Sequence, residues 1–212
     1  MGISIRITEK DKTISGKIAD SVSKLFNSLI RRKQAAIIKD IRVLIYRWVN
    51  RQPEMQDILA GKNGILGPQF GINAGEEASI VHNICTAAAS AFSIDVKQID
   101  TSNFGTVKLN FGNYAFTEFL ELPDSTIVTE KGEVLNWMDW ILKMGSSPIV
   151  IGYRFAPKEG KGRSGGGIMI KKGVWSVPER YTGLPSDNFI TRALLDTSNM
   201  YEVQQVLMRH LK

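Results

Sequence analysis

Between residues 14 and 49 apolar side chains return at steps of three and four, a spacing that a helix gathers onto one side and a strand scatters over two. Ile14, Ile18, Val22, Leu25, Phe26, Leu29 and Ile30 form a first run, and Ile37, Ile41, Leu44, Ile45, Trp48 and Val49 a second. The pattern predicts either two amphipathic helices or one long kinked one. Pro53 then opens a short further helix to Leu59, because proline suits a first helical turn, and Gly61 suits the end of that helix.

Charge follows the same division. Residues 1–52 carry 12 Lys and Arg against 4 Asp and Glu, a net +8, whereas residues 53–212 carry 15 against 17, a net −2. Arg31, Arg32, Lys33, Lys39, Arg42 and Arg47 lie on or near the faces that the apolar residues leave free. Such a cationic arm suits nucleic acid or an acidic protein neighbour, or is a solvated helix face. A length of 212 residues favours one domain, with residues 1–60 as the basic helical arm and residues 64–212 as the body.

The body changes period along its length. Four glycines and Pro68 between Gly61 and Gly71 predict a loop that separates the arm from the rest. An alanine-rich helix is expected from Glu76–Glu77 to about Phe92, with its acidic first turn at the positive end of the helix dipole. Short strand-like runs follow at Val96–Ile99 and Gly105–Asn110, and Tyr114–Leu122 fits strand or helix. Val134–Leu142, between Gly132 and Gly145, reads as one compact helix, deeply buried or at a subunit contact. Pro148–Phe155 and Gly167–Lys172 read as paired strands joined by a long, glycine-rich, cationic tip, residues 157–166, too flexible for a core. Asp187–Asn188 can cap a helix from Phe189 to Leu195, and Ser198–Asn199 another from Met200 to Leu211. Residues 1–7 alternate like a strand rather than a secretory leader, and no apolar run is long enough to cross a membrane. The chain is therefore expected to be α+β: a helical N-terminal arm packed with a mainly antiparallel sheet, a long basic hairpin, and C-terminal helices.

Little in the sequence points to catalysis. Cys85 is the only cysteine and sits among small apolar residues, as a buried thiol does. His82 and His210 are the only histidines, and no ligand-spaced acids accompany them, so neither a metal nor another cofactor is expected. Residues 160–164, Gly-Lys-Gly-Arg-Ser, depart from the phosphate-binding order and lead into a strand instead of a helix. No Gly-x-Ser-x-Gly turn occurs. Aromatic and basic residues are segregated, which leaves phosphate-backbone contact open but gives no support to base reading.

One ordered series of motifs carries a resemblance. Leu135 to Leu142 with Trp137 and Trp140, Ile149 to Phe155, Gly162-Arg163-Ser164-Gly165, Ile168-Met169, Trp175-Ser176-Val177-Pro178 and Asp187 to Leu194 follow one another along the chain. That order resembles the neck and tail-completion proteins of tailed bacteriophages, over roughly residues 64–195. The resemblance implies a non-enzymatic virion subunit, made in the host cytoplasm, that forms a homo-oligomeric ring at the head–tail junction beside other junction and tail proteins. It further implies channel or inter-ring contact by Lys158, Lys161 and Arg163, including sequence-independent contact with genomic DNA, and subunit-boundary packing by Trp137, Trp140 and Trp175. The competing expectation is a cytosolic nucleic-acid-binding protein that acts through the basic arm.

Overall fold

A computed structural model describes residues 11–95, 108–111, 116–128, 132–160 and 162–211; the strands expected over residues 1–7 and 96–99 lie outside them, as does Lys161. The chain is α+β: among the described residues, helices stand at both ends and three separate two-stranded antiparallel ladders lie between them.

The two helical runs of the sequence are one element. α1 spans Asp11–Asn50 without a break, about 60 Å at 1.5 Å per residue. No proline interrupts it, and Gly16 is its only glycine, so nothing enforces the expected kink. It stops where Pro53 approaches, because the residue before a proline is driven out of the helical region: Gln52 is extended at φ −64°, ψ 145°. Pro53 then starts α2, Pro53–Leu59, over the expected residues.

The segment expected to be a loop is instead a packed seam. A 3-10 turn at Gly61–Asn63 leads into α3, Leu66–Gln69, and Leu66, Gly67, Pro68, Gln69 and Phe70 are all buried. Asp57 of α2 holds this turn, since its Oδ2 accepts the amides of Ile65 at 2.7 Å and Leu66 at 2.6 Å. Glycine here permits close packing of backbones rather than freedom.

α4, Glu77–Ser90, is the alanine-rich helix, and it packs along α1. β1, Phe92–Asp95, pairs with β2, Lys108–Phe111. α5, Thr117–Leu120, precedes β3, Thr126–Val128, which pairs with β4, Val134–Asn136. Residues 134–142 are therefore not one helix; only Met138–Leu142 is helical, as α6. The apolar run satisfied both periods, and the β-branched Val134 beside Leu135 pairs with β3 before the chain turns at Trp137.

β5, Val150–Pro157, and β6, Gly167–Trp175, form the expected hairpin, with a register shift between Ile151 and Tyr153. α7, Phe189–Leu195, begins at Asn188, whose Oδ1 accepts the amides of Ile190 and Thr191, each at 3.0 Å, while Thr191 Oγ1 accepts the Asn188 amide at 2.8 Å. α8 starts earlier than expected, at Thr197, and runs to Leu211; Asp196 Oδ1 accepts the Ser198 amide at 2.8 Å.

One core joins these parts. Ile37, Ile41, Ile45 and Trp48 of α1 share it with Phe70, Ile84, Trp137, Phe189 and Val203. The second half of the supposed arm is thus the centre of the body, flanked by α4, α7 and α8.

Candidate assembly surfaces

The first half of α1 presents two different faces. Ser23 and Ile30 are buried and Phe26 is half-buried, whereas Ile18, Val22 and Leu25 are 58%, 47% and 67% exposed. Steps of four and three place these three on one meridian. Val43, 18 residues or five turns beyond Leu25, lies on the same meridian and is also exposed. There it enters an open groove of about 590 Å³ between α1 and α8, lined by Leu44, Tyr201 and Val206 with Asp40 and Arg209 at its polar rim.

The arm's cations are not equivalent. Arg31, Arg32, Lys33, Lys39 and Arg42 are exposed and make no ion pair among the described residues. Arg47 instead pairs with Glu202 of α8, so it fastens two helices. Asp40 does the same from the other partner: His210 Nε2 lies 2.7 Å and Arg209 Nη2 2.6 Å from its Oδ2. The His210 hydrogen bond, outweighing partial burial, holds the Asp40 carboxyl below its usual range.

The hairpin tip is not a free loop. Ser164, Gly166 and Gly167 are buried, and a Cβ at Gly166 would stand 2.4 Å from Pro68 Cγ of α3. Arg163 leans over Gly71, where φ is +65° and a Cβ would meet its Nη2 at 2.6 Å. Lys158 is exposed at the end of β5, with φ +65°. One side of the tip therefore docks on α3, while Lys158, Glu159 and Arg163 stay exposed, as do Ile151, Arg154, Lys171, Lys172 and Val174 of the stem.

Two of the three tryptophans expected at a subunit boundary belong to the core. Trp137 is 1% exposed, stacks on Phe70 at 5.0 Å between ring centroids, and donates its Nε1–H to the Asp124 carbonyl at 2.8 Å. Trp175 is 6% exposed and lies tilted against the same Phe70 at 6.5 Å. Neither has surface left for a neighbour, because Phe70, delivered by the packed seam, occupies it. Trp140 is half-buried and stays partly accessible.

Sequence reasoning found the basic hairpin but not the acidic segment that offsets it. The body's net −2 conceals a hairpin, residues 150–175, with 6 Lys and Arg against 1 Glu, and a segment, residues 116–136, with 5 Asp and Glu against 1 Lys. Summing charge by element rather than by half of the chain would have found the acidic segment as well.

Titratable groups inside the fold are held for structure. Glu54 is fully buried against Arg192, and burial raises its carboxyl above the usual range, with Arg192 opposing the rise. Burial pushes the Cys85 thiol up to about 12. Among the described residues no group of three or more His, Cys, Asp or Glu could hold a metal ion, and no helix is long and apolar enough to cross a membrane. No family model, curated protein or solved structure matches this chain.

Proposed function

We propose that this chain is a structural subunit of a tailed-phage virion, assembling with copies of itself into a ring at the head–tail junction in a neck, tail-completion or tail-terminator position. The observation that carries the assembly reading is the exposed apolar cluster of α1. Ile18, Val22, Leu25 and Val43 are exposed along one meridian of a helix whose neighbouring face is core. Ile18, Val22 and Leu25 form one exposed apolar cluster, separated from Val43 by Arg32 and Asp40 on the same meridian, and such a cluster marks a contact surface where single exposed residues would not. The motif order over residues 135–194 supplies the phage context. Lys158 and Arg163, with Lys161, then serve channel or inter-ring contact, Arg163 from a position braced on Gly71.

Mass measurement of the purified protein across concentration, followed by imaging of the particles, tests this reading. A closed ring of copies is expected, and Val22→Glu with Leu25→Glu should shift the mass toward single chains while the fold persists. A wild-type chain that stays solitary at every concentration removes the proposal.

A second reading has one observation in its favour: Arg31, Arg32, Lys33, Lys39 and Arg42 are exposed without ion pairs among the described residues. A nucleic-acid-binding arm predicts steeply salt-dependent affinity for duplex DNA that falls when these five are changed to Gln. A flat salt response excludes it.

A further inference from the structure

Two ladders turn an apolar pair outward, by the same alternation of strand side chains. In β3–β4, Ile127 and its partner Leu135 pack on the core, so the next pair, Val128 and Val134, faces away, at 58% and 66% exposure. In β5–β6, Val150 and its partner Trp175 pack on the core, so Ile151 and Val174 face away, at 79% and 50%. The irregularity after Ile151 sits just beside this pair, and such bulges bend and twist a ribbon locally.

The surroundings of the two pairs have opposite sign. Beside Ile151 and Val174 stand Lys171 and Lys172, both exposed and without ion pairs among the described residues, on a hairpin of net +5. The Val128–Val134 ladder belongs to the segment of net −4, in which Glu118 and Glu121 are likewise exposed and without ion pairs among the described residues. α5, which carries Glu118, is tied to that ladder by Asn136 Nδ2 donating to the Leu120 carbonyl at 2.7 Å.

We infer that the β5–β6 stem of one copy docks on the β3–β4 ladder of the next, Ile151 and Val174 against Val128 and Val134, with Lys171 and Lys172 facing Glu118 and Glu121. The inference rests on the self-assembly reading above and adds a second contact to that of α1. Stem on stem would set Lys171 and Lys172 against their own copies, and the acidic segment on itself −4 against −4, so like surfaces repel and unlike ones attract. The contact is therefore heterologous, the kind that closes a ring when the rotation between copies allows and otherwise runs on as a filament.

Charge reversal tests it. Lys171→Glu with Lys172→Glu, and separately Glu118→Lys with Glu121→Lys, should each lose assembly in mass measurements across concentration. An equimolar mixture of the two variants should regain it, because each reversed stem then meets a reversed ladder. If both variants assemble as the wild type does, or if the mixture fails to recover, the docking is wrong although the assembly reading stands. If the wild type never assembles, both fall. Should a reversed variant lose its fold, Val128→Cys mixed with Val174→Cys decides, since Cys85 is buried and does not compete. A disulfide-linked pair that forms only in the mixture upholds the contact, and its absence overturns it.

Discussion

The Tyr181 hydroxyl donates to Asp57 Oδ1 at 2.6 Å, joining residues 124 positions apart, while the other oxygen of that carboxylate holds the turn into α3. One acid thus fixes the seam that carries Phe70 and the 3-10 turn that carries Tyr181. Tyr181→Phe should cost about 1–3 kcal/mol, because it strands one Asp57 oxygen in a largely closed site. Burial, and secondarily the Asp57 hydrogen bond, push the Tyr181 hydroxyl up to about 12 from an ordinary 10.0. The folded chain keeps this proton where the unfolded chain loses it, so its contribution is complete below pH 10 and is lost as pH rises from 10 to 12. Urea unfolding of both proteins across that range checks this; parallel losses in wild type and Tyr181→Phe would refute it.

Glu54 and Arg192 make the second prediction. Arg192→Ala leaves a fully buried carboxylate without its cation, and about 3 kcal/mol should be lost at neutral pH, the low end for a buried pair because Arg192 is itself partly exposed. The folded-state pKa of Glu54 lies above the ordinary value, so the folded chain binds that proton more tightly and the cost of ionisation grows as pH rises through the folded value. Arg192→Ala should therefore regain stability on mild acidification, and Glu54→Gln should remove that pH dependence. A variant as stable as wild type at pH 7 would contradict the assignment.

The thiol of Cys85 should be silent in the native protein. It is fully buried in α4, and burial alone raises it to about 12, so thiolate is scarce at pH 8. A maleimide or disulfide reagent should label it at the rate of unfolding, and rapid labelling without denaturant would show that α4 opens.

Asn188 is a cap with further attachments. Besides its two amide contacts, its Nδ2 donates to the carbonyls of Leu184 at 2.9 Å and Leu142 at 3.2 Å, tying α7 to the end of α6. Asn188→Ala should cost about 2 kcal/mol, the upper end for a helix cap, because the side chain is fully buried. Asn188→Asp, which keeps the capping oxygen but not the donor, should recover only part. Equal stability of all three proteins in urea would show that the cap is dispensable.

Elements with one strong local signal were legible before the structure. Pro53 set α2, Asn188 set α7, and alternating apolar residues around a glycine-rich turn set β5 and β6. Where two periods fitted the same residues, pairing decided: Val134–Asn136 became a strand because β3 lay opposite it. Glycine misled at Gly61–Gly71 and at the hairpin tip. It there admits close approach, as Gly166 does against Pro68, and sequence does not distinguish a glycine that frees a chain from one that makes room for a neighbour. The tryptophans were assigned to a subunit boundary by the resemblance, yet the residue that covers Trp137 and Trp175 is Phe70, distant in sequence and invisible to any local pattern.

The unbroken course of α1 has a mechanical outcome. Trp48, at its inner end, is locked among the deepest side chains, and some 50 Å of stiff rod separates it from Asp11. A neighbour that grips the outer turns cannot shift them alone, since bending strain passes straight to the indole. Loading at the rim of the molecule is thereby felt at its centre, and Trp48 emission should report it.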